Sequence, residues 1–199
     1  MVTAAHVAKS MDFSSYIIMG GSNDVPRKVY LLDLIQERKP IWQFHNRADL
    51  AVLKPSPKRS IANSGLLQGK FLPTNYISKD SSKAVSRDIQ LTIIGFPLGI
   101  GVEKRFSPLT YRTYPSSGFI TMQRADLKTM CEFLLLENPS VGGYSGGPVF
   151  DVSQTVINSM TTTGSGTMCY GFIHGTLSDE TGGKLAAITP SYFMFDLIK

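Results

Sequence analysis

The chain has little of what staples a fold or spans a membrane. Among its 199 residues only two are cysteine, Cys131 and Cys169, so at most one disulfide can form and a disulfide scaffold is excluded. The redox compartment stays open on this count. No apolar run reaches the roughly 20 residues that a membrane-spanning helix needs, and a soluble chain is expected. The start, Met1-Val2-Thr3-Ala4-Ala5-His6, has no basic segment followed by an apolar one, so no signal peptide is visible and the localisation is open. Charge of one sign is not concentrated either: 20 Lys+Arg against 15 Asp+Glu leave a net +5. The one dense basic stretch, Lys54-Pro55-Ser56-Pro57-Lys58-Arg59, reads as a solvated loop rather than a nucleic-acid surface. Internal repeats and low-complexity tracts are also missing.

What the sequence has instead is a series of short apolar runs separated by Gly, Asn, Asp and Pro, which punctuate strands rather than helices. Runs at 16–21, 29–35, 40–44 and 49–54 predict strands in an N-terminal unit over 1–80. A polar Ser/Lys-rich stretch at 78–87 reads as a linker to a second unit over 88–199. There the strands resume at 88–96, 117–123, 131–136, 147–152, 155–160, 168–174 and 184–189. Gly164-Ser165-Gly166 is expected to turn a hairpin between 155–160 and 168–174, and Thr181-Gly182-Gly183 another before 184–189. Only Pro190 to Lys199 has helical spacing, with Phe193, Leu197 and Ile198 on one face. A hydrophobic content of 42% is ample for a core. The pattern predicts an all-β, barrel-like architecture in two halves with a C-terminal helix.

One stretch stands apart from this pattern. Gly142-Gly143-Tyr144-Ser145-Gly146-Gly147-Pro148 is poor helix or strand material, because Gly adds backbone freedom and Pro removes a donor. It suits a tight turn that holds one hydroxyl outward with backbone N–H groups beside it. Such a turn serves a nucleophile if a base and an acid that orients the base lie elsewhere. His6, at the end of a small apolar segment, is by itself either a structural residue or a base. Asp49, at the head of an apolar strand, is either a turn cap or a paired acid. His45 is expected to face solvent or pack on Trp42. Cys169 and His174 lack a second pair, so neither a metal site nor a cofactor is expected.

The order His6, Asp49, Ser145, flanked by Thr-Ala-Ala-His, Asp-Leu-Ala-Val and Gly-Tyr-Ser-Gly-Gly-Pro, resembles the trypsin-like (chymotrypsin-fold, PA clan) serine peptidases. Leu91–Gly99 and Ser117–Ile120 look like the bacterial HtrA/Deg branch, and Tyr170–Thr176 resembles the strand that pairs with substrate. The resemblance implies two Greek-key β-barrels with the active site in the cleft between them. It implies a serine endopeptidase in which Ser145 is the nucleophile, His6 the general base and acid, and Asp49 the acid that orients His6. The N–H groups of Gly143 and Ser145 would form the oxyanion hole. His174, Gly175 and Thr176 would pair with the substrate main chain, His174 lining the cleft, and Pro139 and Ser140 align with the floor of the specificity pocket. The implied partner is a peptide or protein substrate, with no nucleic acid and no membrane span. A non-catalytic binding or scaffolding protein of the same fold, and an esterase using the same triad, stay open as alternatives.

Three departures from the family pattern carry information. Tyr144 stands where zymogen-activated members have an Asp, and a tyrosine cannot form their buried ion pair with a newly cut N-terminus. No carboxylate stands at Pro139 or Ser140, which argues for a small or apolar preference rather than a basic one. Family members have two strands before the catalytic His, whereas His6 is nearly the first residue here. The expectation is a truncated chain whose first barrel lacks its initial strands, with Met1–Ala5 a strand without partners. No PDZ module is expected after residue 199.

Overall fold

The structure is a computed structural model that describes residues 1–35, 42–124, 127–152, 154–157, 160–163, 166–178 and 180–198. The first half is assembled from short pieces, as its brief apolar runs require. Its strands are β1 (Val2–Thr3), β2 (Tyr16–Gly20), β3 (Pro26–Tyr30), β4 (Trp42–Phe44) and β5 (Ala51–Leu53), with short helices α1 (Ala5–Lys9) and α2 (Arg59–Ala62). β5 lies between β1 and β4, while β2 and β3 form a separate antiparallel ribbon. Successive side chains leave a strand on opposite faces. Ala51 and Leu53 of β5 therefore pack with Ala5, Ala8 and Trp42, while Val52 points the other way, into the second half.

The second half carries β6 (Leu91–Gly95), β7 (Leu109–Thr113), β8 (Pro115–Gln123), β9 (Met130–Leu136), β10 (Pro148–Asp151), β11 (Gln154–Ile157), β12 (Met160–Thr163), β13 (Met168–Ser178) and β14 (Lys184–Pro190). Seven of them form one antiparallel sheet in the order β7-β6-β10-β13-β14-β9-β8. Its two outer strands follow one another in the chain with Tyr114 alone between them, so the sheet curls back on itself as a barrel does. Leu91, Ile93, Leu134, Leu136, Val149, Ile173 and Ile188 fill one side. On the other side Phe133, Phe172, Ala187, Phe193 and Met194 pack against Ala48, Leu50 and Val52 of the first half. This shared core fixes the segment around Asp49 over the sheet.

The architecture is all-β, as the spacing predicts, and the hairpin around Thr181–Gly183 joins β13 to β14. Several local expectations need correction. The run at 29–35 is strand only to Tyr30; Leu31–Asp33 forms a 3-10 turn that tucks Leu31 and Leu34 into a core with Val29. Pro40 and Ile41, at the start of the expected strand over 40–44, lie outside the described residues. Among the described residues, 155–157 and 160 do not pair with 168–174 as the expected hairpin requires. Instead β11 pairs with β12, and β13 takes its partners from β10 and β14, which bury Phe172 and Ile173; Gly164 and Ser165 lie outside the described residues. β7 is an unpredicted strand whose Leu109, Tyr111 and Thr113 alternate with exposed Thr110 and Arg112. The C-terminal helix is a 3-10 helix over Ser191–Asp196, because its three-residue turn buries Ser191 and Met194 together. At the other end, β1 pairs with β5 (Val2 opposite Val52) rather than lacking a partner, and His6 sits on α1 rather than on a strand.

Candidate active site

His6, Asp49 and Ser145 come from three different elements. His6 is the second residue of α1, Asp49 lies in the loop from β4 to β5, and Ser145 lies in the turn between β9 and β10. The first residues of a helix have N–H groups without intrahelical partners. Asp49 satisfies one of them, accepting from the His6 backbone N–H at 3.0 Å on Oδ1, while its Oδ2 accepts from His6 Nδ1 at 2.7 Å. The same carboxylate thus places both the backbone and the ring of His6.

Asp49 is fully buried, and it is shared. His174 Nδ1 lies 2.6 Å from Oδ2, and Arg124 Nη2 lies 3.2 Å from Oδ1. Burial alone would raise the Asp49 pKa, but the hydrogen bonds and charge of His174 and His6 outweigh it and hold the carboxyl well below its usual range. Asp49 is therefore ionised at neutral pH, and a carboxylate only accepts. Both imidazoles must donate through Nδ1, which leaves Nε2 of neutral His6 as a proton acceptor. That is the tautomer a general base needs.

The turn at 142–147 is held against the segment that leads into His6. A Cβ at Gly146 would meet Thr3 Oγ1 at 2.2 Å and the Ala4 nitrogen at 2.8 Å, so glycine permits this approach. Ser145 Oγ reaches the His174 carbonyl at 3.4 Å. Gly143 has φ +102°, in the region where glycine is favoured, and a Cβ there would fall 2.6 Å from the Phe96 carbonyl oxygen. Among the described residues, none accepts a hydrogen bond from the N–H of Gly143 or of Ser145. Both donors are thus available to an incoming oxygen.

The remaining residues named from the sequence lie on β13 and on the segment that follows β9. β10 follows β13 as far as Phe172, and the turn itself bonds Ile173 through Gly146 and Gly147, so β10 does not cover the backbone of β13 from His174 to Ser178 on that side. Thr176 Oγ1 donates to the Ser140 carbonyl at 2.7 Å and lies 3.0 Å from Ser140 Oγ, which ties the strand to the segment holding exposed Pro139. Gly175 has open space where a Cβ would stand. The His174 backbone faces Ser145 while its ring turns inward to Asp49. Tyr144 is buried against Tyr111, with ring centroids 5.0 Å apart.

Arg124 was not singled out from the sequence, where an arginine after a strand looks like a solvated end. It is 1% exposed. His45 corrects the expectation of a solvent-facing residue or one packed on Trp42: it is buried against Phe193 at 4.9 Å, and its Nδ1 accepts from the N–H groups of Arg47 and Ala48. It thereby shapes the loop that carries Asp49. Cys131 and Cys169 are free and buried, and burial pushes both thiols up to about 11. Among the described residues, His6, Asp49 and His174 are the group whose donor atoms converge closely enough to be tested as a metal site. Their N-to-O separations of 2.6 and 2.7 Å are hydrogen-bond distances, and the Arg124 guanidinium already faces the carboxylate. Protons, not a cation, suit this cluster. No helix among the described residues is long and apolar enough to cross a membrane.

No curated protein matches the chain. Among solved structures, the MamO protease domain from Magnetospirillum magneticum (apo form) is similar at 14% identity and a TM-score of 0.58, covering 100% of this chain and 82% of that one. Rv3671c from M. tuberculosis H37Rv (Ser343Ala mutant, inactive form) is similar at 10% identity and a TM-score of 0.53, covering 99% of this chain and 74% of that one. At such identities these two speak for the fold. The sequence profile of the trypsin-like peptidase domain matches residues 1–157. With most of its length so matched, the chain belongs to the trypsin-like peptidase family.

Proposed function

We propose that the protein is a serine endopeptidase that works through an acyl-enzyme. The observation that carries this reading is the double hold of Asp49 on His6, at 3.0 Å to the backbone and 2.7 Å to Nδ1, with the turn that carries Ser145 packed against Thr3 and Ala4, just ahead of His6. Ser145 Oγ attacks the peptide carbonyl carbon while His6 Nε2 takes its proton. The oxygen that becomes negative is met by the N–H groups of Gly143 and Ser145, at about 3–4 kcal/mol per donor. His6 then gives its proton to the leaving amine, and a water deprotonated by His6 releases the acyl group as a carboxylic acid. Asp49 holds the ring and stabilises the imidazolium throughout. Residues 1–80 supply His6 and Asp49, residues 88–199 supply Ser145 and the substrate strand 174–176, and 78–87 joins them.

Pro139, Ser140, His174, Gly175 and Thr176 bring no carboxylate to the pocket, and the Ser140 and Thr176 hydroxyls face each other at 3.0 Å. A lysine or arginine side chain finds no counter-charge there, so small and apolar side chains are preferred. A panel of fluorogenic peptides varied at the residue before the scissile bond tests both parts. Expected is faster cleavage after Ala, Val or Leu than after Lys or Arg, and loss of about 10⁴-fold or more in kcat for Ser145→Ala. Cleavage of esters alone would overturn the peptidase reading; a preference for Lys or Arg would overturn the specificity.

A further inference from the structure

We infer that Arg124 and His174 are positioning residues that divide the Asp49 carboxylate with His6 and so set how basic the His6 imidazole is. The inference rests on the proposal that His6 is the general base. Each carboxylate oxygen serves two donors: Oδ1 takes the His6 N–H at 3.0 Å and Arg124 Nη2 at 3.2 Å, and Oδ2 takes the two imidazole Nδ1 atoms at 2.7 and 2.6 Å. Neither extra partner is accidental in its placement. Arg124 follows directly on β8, and its guanidinium spans the Arg47 carbonyl at 2.8 Å and Asp49, so it also pins the loop that presents the carboxylate. His174 is the extra residue of a bulge in β13, where Ile173 faces Ile188 and Gly175 faces Ala187. A bulge re-aims one side chain, and here the ring lies between Phe133 at 5.0 Å and His6 at 5.9 Å.

The consequence is electrostatic. When His6 takes the serine proton, the new imidazolium is attracted by Asp49 but repelled by the Arg124 charge; both partners are buried, and solvent reaches only the His6 ring, whose side chain is 35% exposed. His174 adds to this by donating to the very oxygen that His6 uses. Among the described residues, the titratable and charged side chains shown against this ring and its carboxylate are Asp49 from the β4–β5 loop, Arg124 after β8 and His174 on β13, while Lys9 follows on its own helix. His6 is thus a weaker base than an imidazole with a carboxylate to itself, and the acidic limb of the rate profile extends to lower pH. Without Arg124 or without the His174 ring, the imidazolium is better stabilised and the midpoint rises.

The titration of His6 can be followed by NMR of its ring resonances in Ser145→Ala protein, which needs no turnover. On that background Arg124→Met is expected to raise the midpoint by about one pH unit, and His174→Ala to raise it by less. Arg124→Lys keeps the charge and is expected to stay near the parent. Arg124→Gln, which keeps a donor without the charge, is expected to follow the Met variant and replaces it if that variant does not fold. A midpoint unchanged or lowered on loss of the Arg124 charge would overturn the role of Arg124, and the same result in His174→Ala would overturn that of His174. Wild-type protein without peptidase activity, but with these shifts, would refute the peptidase reading and leave the division of the carboxylate standing.

Discussion

Gly143 is a position where the backbone dictates the residue. With φ +102° and the Phe96 carbonyl oxygen 2.6 Å from any added Cβ, alanine can fit only if the turn or the 96–98 segment moves. Gly143→Ala is expected to lower the melting temperature and, if its N–H serves the proposed oxyanion hole, to cut kcat by about 10²-fold or more with little change in KM, since the clash turns that N–H away from the transition-state oxygen. Steady-state kinetics with a thermal melt would check this, and wild-type kcat would remove Gly143 from the oxyanion hole. Glycine and proline made this turn legible in the sequence, because their backbone needs are local. Asp49 was half legible: its place at a strand head allowed a turn cap or a paired acid, and its carboxylate pairs with the ring of His6 and also takes the His6 backbone N–H, a bond to a distant segment that the strand head does not announce. Arg124 was not legible, because nothing local marks an arginine for burial; its burial is set by a loop far away in the chain. The inward turn of the His174 ring was hidden for a related reason, since a bulge depends on how β13 is registered against β14.

The turn at 142–147 owes its shape to the elements around it. Gly146 N–H donates to the Ile173 carbonyl at 2.7 Å, and Ile173 N–H returns a bond to the Gly147 carbonyl at 2.9 Å, so β13 clasps the turn. On its other side the turn rests on Thr3 and Ala4, where β1 gives way to α1. Gly146→Ala drives a methyl group into that contact and is expected to push the turn that carries Ser145 away from the segment that leads into His6. A misplacement of about 1 Å costs on the order of 10²-fold in rate, so a fall in kcat of that size is expected with the fold retained in circular dichroism. Full activity would show that the contact between turn and helix is not needed. Strand positions were legible wherever apolar runs are dense, as in β6, β9 and β14. β7 escaped because its alternation of Leu109, Tyr111 and Thr113 leaves no continuous run, and the C-terminal segment misled because α and 3-10 spacing differ little over six residues.

At the scale of the molecule, one core joins the two halves. Ala48, Leu50 and Val52 from the first pack with Phe133 and Phe172 from the second, and Asp49 lies within that run with both neighbours buried. The carboxylate that orients His6 is therefore positioned by the packing of the half that carries Ser145. The polar stretch at 78–87 reads in the sequence as a divider, but it gives no hint of this shared core, which sequence periodicity does not reveal. The central claim is that the assembled site activates Ser145. Native protein treated with a fluorophosphonate probe, digested and mapped by mass spectrometry tests it most directly. Expected is one label, on Ser145, lost on unfolding and slowed by about 10³-fold or more in Asp49→Asn; native protein that stays unlabelled, or carries the label elsewhere, would contradict the claim.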